Sequence, residues 1–378
     1  MTVNQEAPLR VVQFCNTLDV ADGGPARHAL DVHLGLNTRH DVAAHLLHFQ
    51  GGSEASLLDE EPYASSDSAL AVTHISGNPT AIREYIKDAD VVIIEGFYLR
   101  WVPLVARECT RAKVPYVVVP HGVFTRYQRK FSKAKKWVFD VAFGAAVVRG
   151  AAGFVVASAS ENEQLREVYS TAKVTTVGIG TAIAPHRASG GVHTPLRLLS
   201  LSRIAPKKRI DIAIEAVKLI AQQGHAVELT IAGSGEASLV EDLNRLAVAE
   251  EVDHLVKFAG EVRGDAKTHL LLETDIFVSP SEDENFGMST AEALAHGVPV
   301  VVTRHVSSAS VVTADCGIVI DSADSRALAE AVISLAAHDF DAARSSALDI
   351  AKSNYAWTVV TQRWVDLVSA LHQQRNGQ

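Results

Sequence analysis

Short runs rich in valine, isoleucine and leucine punctuate the chain. In its first half they are Leu9 to Phe14, Val42 to Phe49, Asp90 to Ile94, Tyr116 to Val119, Phe154 to Ala157 and Val174 to Val177. A strand that shows neither face to water reads as a continuous apolar run, and strands separated by helical patterns pair in parallel under helices on both faces. The series halts at 186–195, where Gly, Ser and Pro gather, and an interdomain linker is expected there. It then restarts. Strands are expected at Leu196 to Leu201, Val227 to Ala232, Val256 to Ala259, Thr274 to Pro280, Pro299 to Thr303 and Gly317 to Ile320. Helices are expected at Ile210 to Gly224, Glu236 to Glu250 and Asp265 to Glu273, from Ser289, from Arg326, and at Trp357 to His372. The pattern predicts an α/β chain of two parallel sheets.

With 378 residues the length itself suggests two domains. We place them at 1–186 and 187–355, with 356–378 a terminal helix packing back on the first. The 35 Lys and Arg against 44 Asp and Glu leave a net charge of −9, which argues against a nucleic-acid partner. Cys15, Cys109 and Cys316 are widely spaced and read as reduced thiols. The opening Met1 to Glu6 lacks the pattern of a secretory leader, and the expected location is cytoplasmic. The longest nearly apolar stretch, Trp137 to Ser158, contains Asp140 and Arg149 and reads as a buried helix followed by a strand.

The chemistry concentrates in Ser281-Glu282-Asp283-Glu284-Asn285-Phe286-Gly287-Met288-Ser289-Thr290-Ala291-Glu292. A strand-like run leads into it, and ligands of open α/β sheets bind beyond the carboxyl ends of strands. A glycine turn and a helix start there supply amides for an anion. Eight residues of helix rise about 12 Å, so Glu284 and Glu292 are spaced to hold two ends of one extended polar ligand. Upstream, Arg203, Lys207, Lys208 and Arg209 crowd the loop after the strand ending at Leu201, where cations would meet a developing negative charge. Gly233-Ser234-Gly235 follows a strand but lacks the third glycine of a dinucleotide fingerprint, which makes a dehydrogenase unlikely. Asp22-Gly23-Gly24-Pro25-Ala26-Arg27-His28 lies between the first strand and first helix, and Pro120-His121-Gly122 ends the Val117 to Val119 strand.

These segments together resemble the retaining GT-B glycosyltransferases of family 4, the glycogen-synthase-like enzymes with a Glu-x7-Glu signature. The resemblance covers nearly the whole chain, is most specific from Ser200 to Val302 and is loosest from Gly51 to Ser76. It implies two Rossmann-like domains facing across a cleft. It also implies retaining, metal-independent transfer of a hexose-type sugar from a nucleoside diphosphate sugar, UDP being the commonest nucleotide in the family. The acceptor would be a glycan, a lipid-linked sugar or a small molecule. By the resemblance Glu284 would hold donor sugar hydroxyls and Glu292 the ribose. Asn285, Phe286, Gly287, Met288 and Ser289 would approach the sugar and distal phosphate. Arg203 and Lys208 would form the Arg-x4-Lys diphosphate clamp. Gly233 and Gly235 would turn near the nucleotide, Glu261 and Val262 would lie near the base, and Gly23 and Gly24 would face donor phosphate and acceptor. His121 would hydrogen-bond the sugar or handle the acceptor proton. No cofactor is expected. Two other classes stand beside this one: an inactive GT-B-like partner protein, and a GT-B epimerase or phosphorylase.

Residues 126–137 hold six cations and no acid, interleaved with Tyr127, Phe131 and Trp137. Three readings fit: a surface for anionic lipid at the inner face of the membrane, a site for an acidic acceptor, or a solvated helix face. Asp88-Ala89-Asp90 is a nominal D-x-D triplet at a strand entry and is discounted. No metal site is expected.

Overall fold

A computed structural model describes residues 7–50, 56–60, 63, 71–184 and 191–377. Thirteen strands are described: β1 (Leu9–Thr17), β2 (Val42–Gln50), β3 (Val72–His74), β4 (Val91–Glu95), β5 (Tyr116–Val119), β6 (Gly153–Val156), β7 (Val174–Thr176), β8 (Leu196–Leu201), β9 (Val227–Ala232), β10 (Val256–Gly260), β11 (Ile276–Ser279), β12 (Val300–Thr303) and β13 (Gly317–Ile320). They form two sheets, ordered β3-β2-β1-β4-β5-β6-β7 and β10-β9-β8-β11-β12-β13. Every pairing between these strands is parallel. The two-sheet parallel α/β architecture read from the apolar runs is the one observed.

The chain divides into two compact units. One comprises residues 1–180 and 360–378, the other 181–359. In unit 1 the core is β-branched strand residues such as Val92, Ile94 and Val118 packed on an aromatic group containing Phe97, Phe124 and Phe154. The unit 2 core sets Ile214, Val217 and Ile220 of the helix Ile210–Gln222 and Val332 and Leu335 of the helix Ser325–Ala336 against Leu198, Leu229 and Ile276. The last helix, Trp357–Asn376, carries Trp364, buried beside His28, and Arg375, which donates to the Ala89 carbonyl at 2.9 Å. These contacts lie within unit 1.

The structure differs from the reading in three places. Strand β3 and the helix Phe340–Asn354 were not anticipated. The stretch expected to bury a helix after Trp137 instead forms the surface helical segment Lys133–Gly150, with Trp137 66%, Val138 56% and Val141 68% exposed. Of the expected linker, 186–190 lie outside the described residues, and 191–195 run into β8 without helix or strand.

Candidate functional site

In unit 2 the chain leaves β8 for β9 and β10 on one side, then returns to β11 on the other. The loops after β8 and β11 therefore flank the point where strand order reverses, the usual crevice of such sheets. The first loop carries Arg203 to Arg209 and the second carries Ser281 to Gly287. The two are zipped together. Glu282 N–H donates to the Lys207 carbonyl at 2.9 Å. Lys207 Nζ meets Asp283 Oδ2 at 3.0 Å, Arg209 Nη1 meets Glu282 Oε1 at 2.5 Å, and Lys208 Nζ contacts Glu284 Oε2. Burial pushes the Lys208 ammonium down to about 8, with Lys207 and Arg203 adding like-charge repulsion and Asp283 opposing it. At neutral pH it is still a cation, facing Glu284. Arg203 is exposed.

Glycine is required at three of the predicted positions, one of them Gly235, whose Cβ would lie 2.4 Å from the Ile204 carbonyl oxygen. A Cβ on Gly233, at φ +136°, would lie 1.8 Å from the Ser202 carbonyl oxygen. One on Gly287, at φ +90°, would meet Val306 Cγ1 at 2.6 Å and Ser308 Oγ at 2.8 Å. Gly287 starts the helix Met288–Ala295, whose terminus no side chain caps. The amides at such a terminus are orphan donors suited to an anion. Phe286 is buried edge-on against Tyr355, ring centroids 5.6 Å apart, which anchors the turn. Gly235 forms a parallel bridge with Ile204, so the Gly233 turn lies alongside the cationic loop. Gly233 N–H donates to the Gly260 carbonyl at 2.7 Å, linking that turn to the end of β10. Just beyond, Val262 is half-buried and Glu261 is exposed, paired with Arg263 at 2.7 Å. Glu292 accepts from Lys267 Nζ at 2.7 Å, a partner the sequence did not signal.

His121, Gly23 and Gly24 belong to unit 1. Unit 1 has its own reversal of strand order, between β1 and β4. A cavity of about 210 Å³ opens there, lined by Asn16, Asp22, Glu95, Tyr98 and His121 among others. Gly23, at φ +67°, precedes the helix Gly24–Asn37, and the space beside both glycines is open. His121 holds φ +53°, a region that non-glycine residues rarely occupy, and Gly122 follows at +75°. Its Nε2 lies 2.7 Å from Glu95 Oε2. Glu95 ends β4 in full burial. It also takes the Gln13 amide on Oε1 at 2.7 Å and faces His28 Nδ1 at 3.4 Å. Burial opposes the charge on Glu95, but His28 and His121 outweigh it and hold the carboxyl down at about 2. Burial likewise opposes a charged His28, and Glu95, with Asp31 and Glu161, outweighs it and leaves that imidazole raised. One donor atom each from His28, Glu95 and His121 lie within 4.8 Å of one another, a set able to accept either a proton or a metal ion. Glu95 was missed in the sequence, although a carboxylate closing the run Val91-Val92-Ile93-Ile94 was a visible signal, and His28, the last residue of the glycine-loop segment, was given no role. Arg27 is engaged by Glu60 at 2.9 Å.

Of the six cations in 126–137, Arg126 and Arg129 pair with Glu167, and Lys136 Nζ donates to the Gln128 carbonyl at 2.7 Å. Lys130, Lys133 and Lys135 are exposed beside Phe131, Trp137 and Val138. Among the described residues no helix is long and apolar enough to cross a membrane.

The model of the family "Glycosyl transferases group 1" matches residues 184–351, and "Glycosyl transferase 4-like domain" matches residues 23–180. The chain is similar to the amylovoran biosynthesis glycosyltransferase AmsK of Erwinia amylovora, 34% identical over 35% of this chain and 33% of the relative. It is also similar to the GDP-mannose-dependent alpha-(1-6)-phosphatidylinositol dimannoside mannosyltransferase of Mycobacterium tuberculosis, 32% identical over 34% of this chain and 32% of the relative. The matched stretch thus spans about a third of these curated relatives. Among solved structures, Anabaena HepE in complex with UDP superposes with a TM-score of 0.76 at 17% identity, over 96% of this chain and all of the other. A Rickettsia africae glycosyltransferase gives 0.74 at 15%, over 97% and 99%.

Proposed function

From the premise that this chain belongs to the group 1 glycosyltransferases of GT-B type, we propose that it transfers a hexose-type sugar, with retention, from a nucleoside diphosphate sugar to a glycan, lipid-linked or small-molecule acceptor in glycoconjugate assembly. The observation that carries this reading is the pairing of Lys208 with Glu284 across the strand-order reversal of unit 2. A diphosphate placed at the uncapped helix start takes the ammonium of Lys208 and the guanidinium of Arg203. Glu284, released from Lys208, then accepts hydroxyls of the sugar. Negative charge growing on the leaving diphosphate is held by these fixed cations and by the helix amides, which suits charge that develops in the transition state. Asn285 to Ser289 contribute the backbone turn. Gly233 and Gly235 let the chain approach the nucleotide, Glu261 and Val262 lie toward the base, and Glu292, once Lys267 yields, serves the ribose. UDP is favoured, since the solved neighbour HepE is in complex with it. The mycobacterial relative's use of GDP-mannose keeps guanine in the test. No metal or cofactor is assigned a step.

The acceptor side belongs to unit 1, with His121 and the Gly23-Gly24 loop. The surface of Phe131, Trp137, Val138 and Val141 with Lys130, Lys133 and Lys135 suits an anionic lipid layer, which would bring a lipid-linked acceptor to a protein without a membrane-spanning helix among its described residues.

Thermal stabilisation by UDP, GDP, ADP and their sugars, with and without EDTA, tests the donor site. Ligand at 100 times its dissociation constant adds roughly 2.7 kcal/mol and raises Tm by several degrees. Lys208→Ala should weaken binding by about 1.5–3 kcal/mol, as for a charged hydrogen bond. Glu284→Ala should abolish transfer with only a modest loss of nucleotide binding. No shift with any nucleotide at millimolar concentration would favour the inactive partner protein.

A further inference from the structure

Glu95 is placed unlike an ordinary buried carboxylate. Its Oε2 faces two imidazoles, His121 Nε2 at 2.7 Å and His28 Nδ1 at 3.4 Å, while Oε1 is occupied by the Gln13 amide at 2.7 Å. An ionised carboxylate has no proton to give, so the short contact requires that Nε2 of His121 carry one. In neutral His121 the lone pair then sits on Nδ1. The ring's backbone is fixed as well: His121 is held at φ +53°, and the next amide, Gly122 N–H, donates to the buried Glu161 at 2.6 Å. His121 lines the cavity at the β1–β4 reversal, together with Asn16, Asp22 and Tyr98.

We propose that Glu95, backed by His28, is a positioning residue that locks the neutral ring of His121 in its Nε2–H tautomer and so leaves Nδ1 as the ring's acceptor. The part that acceptor plays in transfer rests on the transferase reading given above; the tautomer lock does not. His28 faces the same Oε2 at 3.4 Å and helps keep Glu95 an acceptor. The other titratable groups facing the cluster are Asp22, Asp31, Glu161 and Cys15.

The test is long-range ¹⁵N–¹H correlation of the histidine imidazoles in the full chain between pH 6 and 8, with His121→Gln to assign the signal. In wild type the neutral His121 ring should be the Nε2–H form alone. Glu95→Gln, whose amide can donate where the carboxylate could only accept, should show a mixture or the Nδ1–H form. Nδ1–H in the wild type, or an unchanged tautomer in Glu95→Gln, overturns the proposal. The wild-type spectrum decides it even if the variant fails to fold. One equivalent of zinc retained by the purified protein and lost in Glu95→Gln would also overturn it, because the three side chains would then be metal ligands. With a nucleotide sugar that passes the binding test, release of the nucleotide by Glu95→Gln should fall roughly 10²-fold in kcat, as for a misplaced tautomer, with the donor KM unchanged. Wild-type turnover in that variant overturns the role. If no nucleotide stabilises the protein, the transferase reading fails, while the spectrum still decides the tautomer.

Discussion

Lys208 shows how one residue's environment sets a measurable property. With its pKa down at about 8, against 10.5 for an ordinary lysine, it loses charge in the unliganded protein just above neutrality. A bound diphosphate favours the charged form, so binding takes up a proton between the free and bound pKa values. UDP affinity should therefore hold up to about pH 7.5 and fall as pH rises through 8 and beyond, read by titration calorimetry. Lys208→Arg should flatten that fall, because guanidinium stays charged. At this scale the nearness of Lys208 to Glu284 and the tight turn at Gly287 were legible, because motif chemistry and loop position coincide there, while the roles of these residues and of Arg203 belong to the proposal. It was not legible where long-range packing chooses partners. Nothing near Glu95 in the chain announces His28 or His121, and nothing near Glu292 announces Lys267. A left-handed histidine likewise has no local signal, because the surrounding fold imposes it.

Strands were the most readable elements, since burial on both faces leaves an unbroken apolar run. Strand β3 escaped because three half-exposed or exposed residues, Val72, Thr73 and His74, carry too little pattern. The helix Phe340–Asn354 escaped because its buried face is mostly Ala343, Ala347 and Ala351, a weak apolar signal. The helical segment after Ser132 misled in the opposite sense. Its hydrophobic residues suggested burial, yet Trp137, Val138, Val141 and Phe143 face solvent. If that face meets lipid, the wild-type protein should co-sediment with vesicles containing phosphatidylserine and not with neutral ones. The double variant Trp137→Asp, Val141→Asp should stay in the supernatant with its Tm nearly unchanged, as exposed sites allow. Equal sedimentation of the variant would remove the lipid reading and leave a solvated face or an acidic acceptor.

For the whole molecule, length and the break near residue 190 pointed to two parallel α/β bodies, and two such sheets are observed. The course of the last helix is fixed by tertiary contacts, as when Arg363 donates to the Val177 carbonyl at 3.0 Å and Trp364 packs beside His28. The molecule's net charge of −9 repels anions, and it must bind one if the donor assignment holds. The zipped loops bear on that. Lys207, Lys208 and Arg209 are neutralised by Asp283, Glu284 and Glu282, so the protein supplies its own counterions. An arriving diphosphate exchanges with fixed carboxylates and displaces few dissolved ions. Added salt also screens the general repulsion. The donor's dissociation constant should then change by less than about threefold between 50 and 300 mM NaCl, against the steep losses seen where bound salt ions must be released. A steep loss would mean that solution ions, not these carboxylates, neutralise the empty site. The unliganded protein would behave as an ion exchanger already loaded with its own acid groups, closed to stray phosphate and open to a ligand that can also satisfy the carboxylate it displaces.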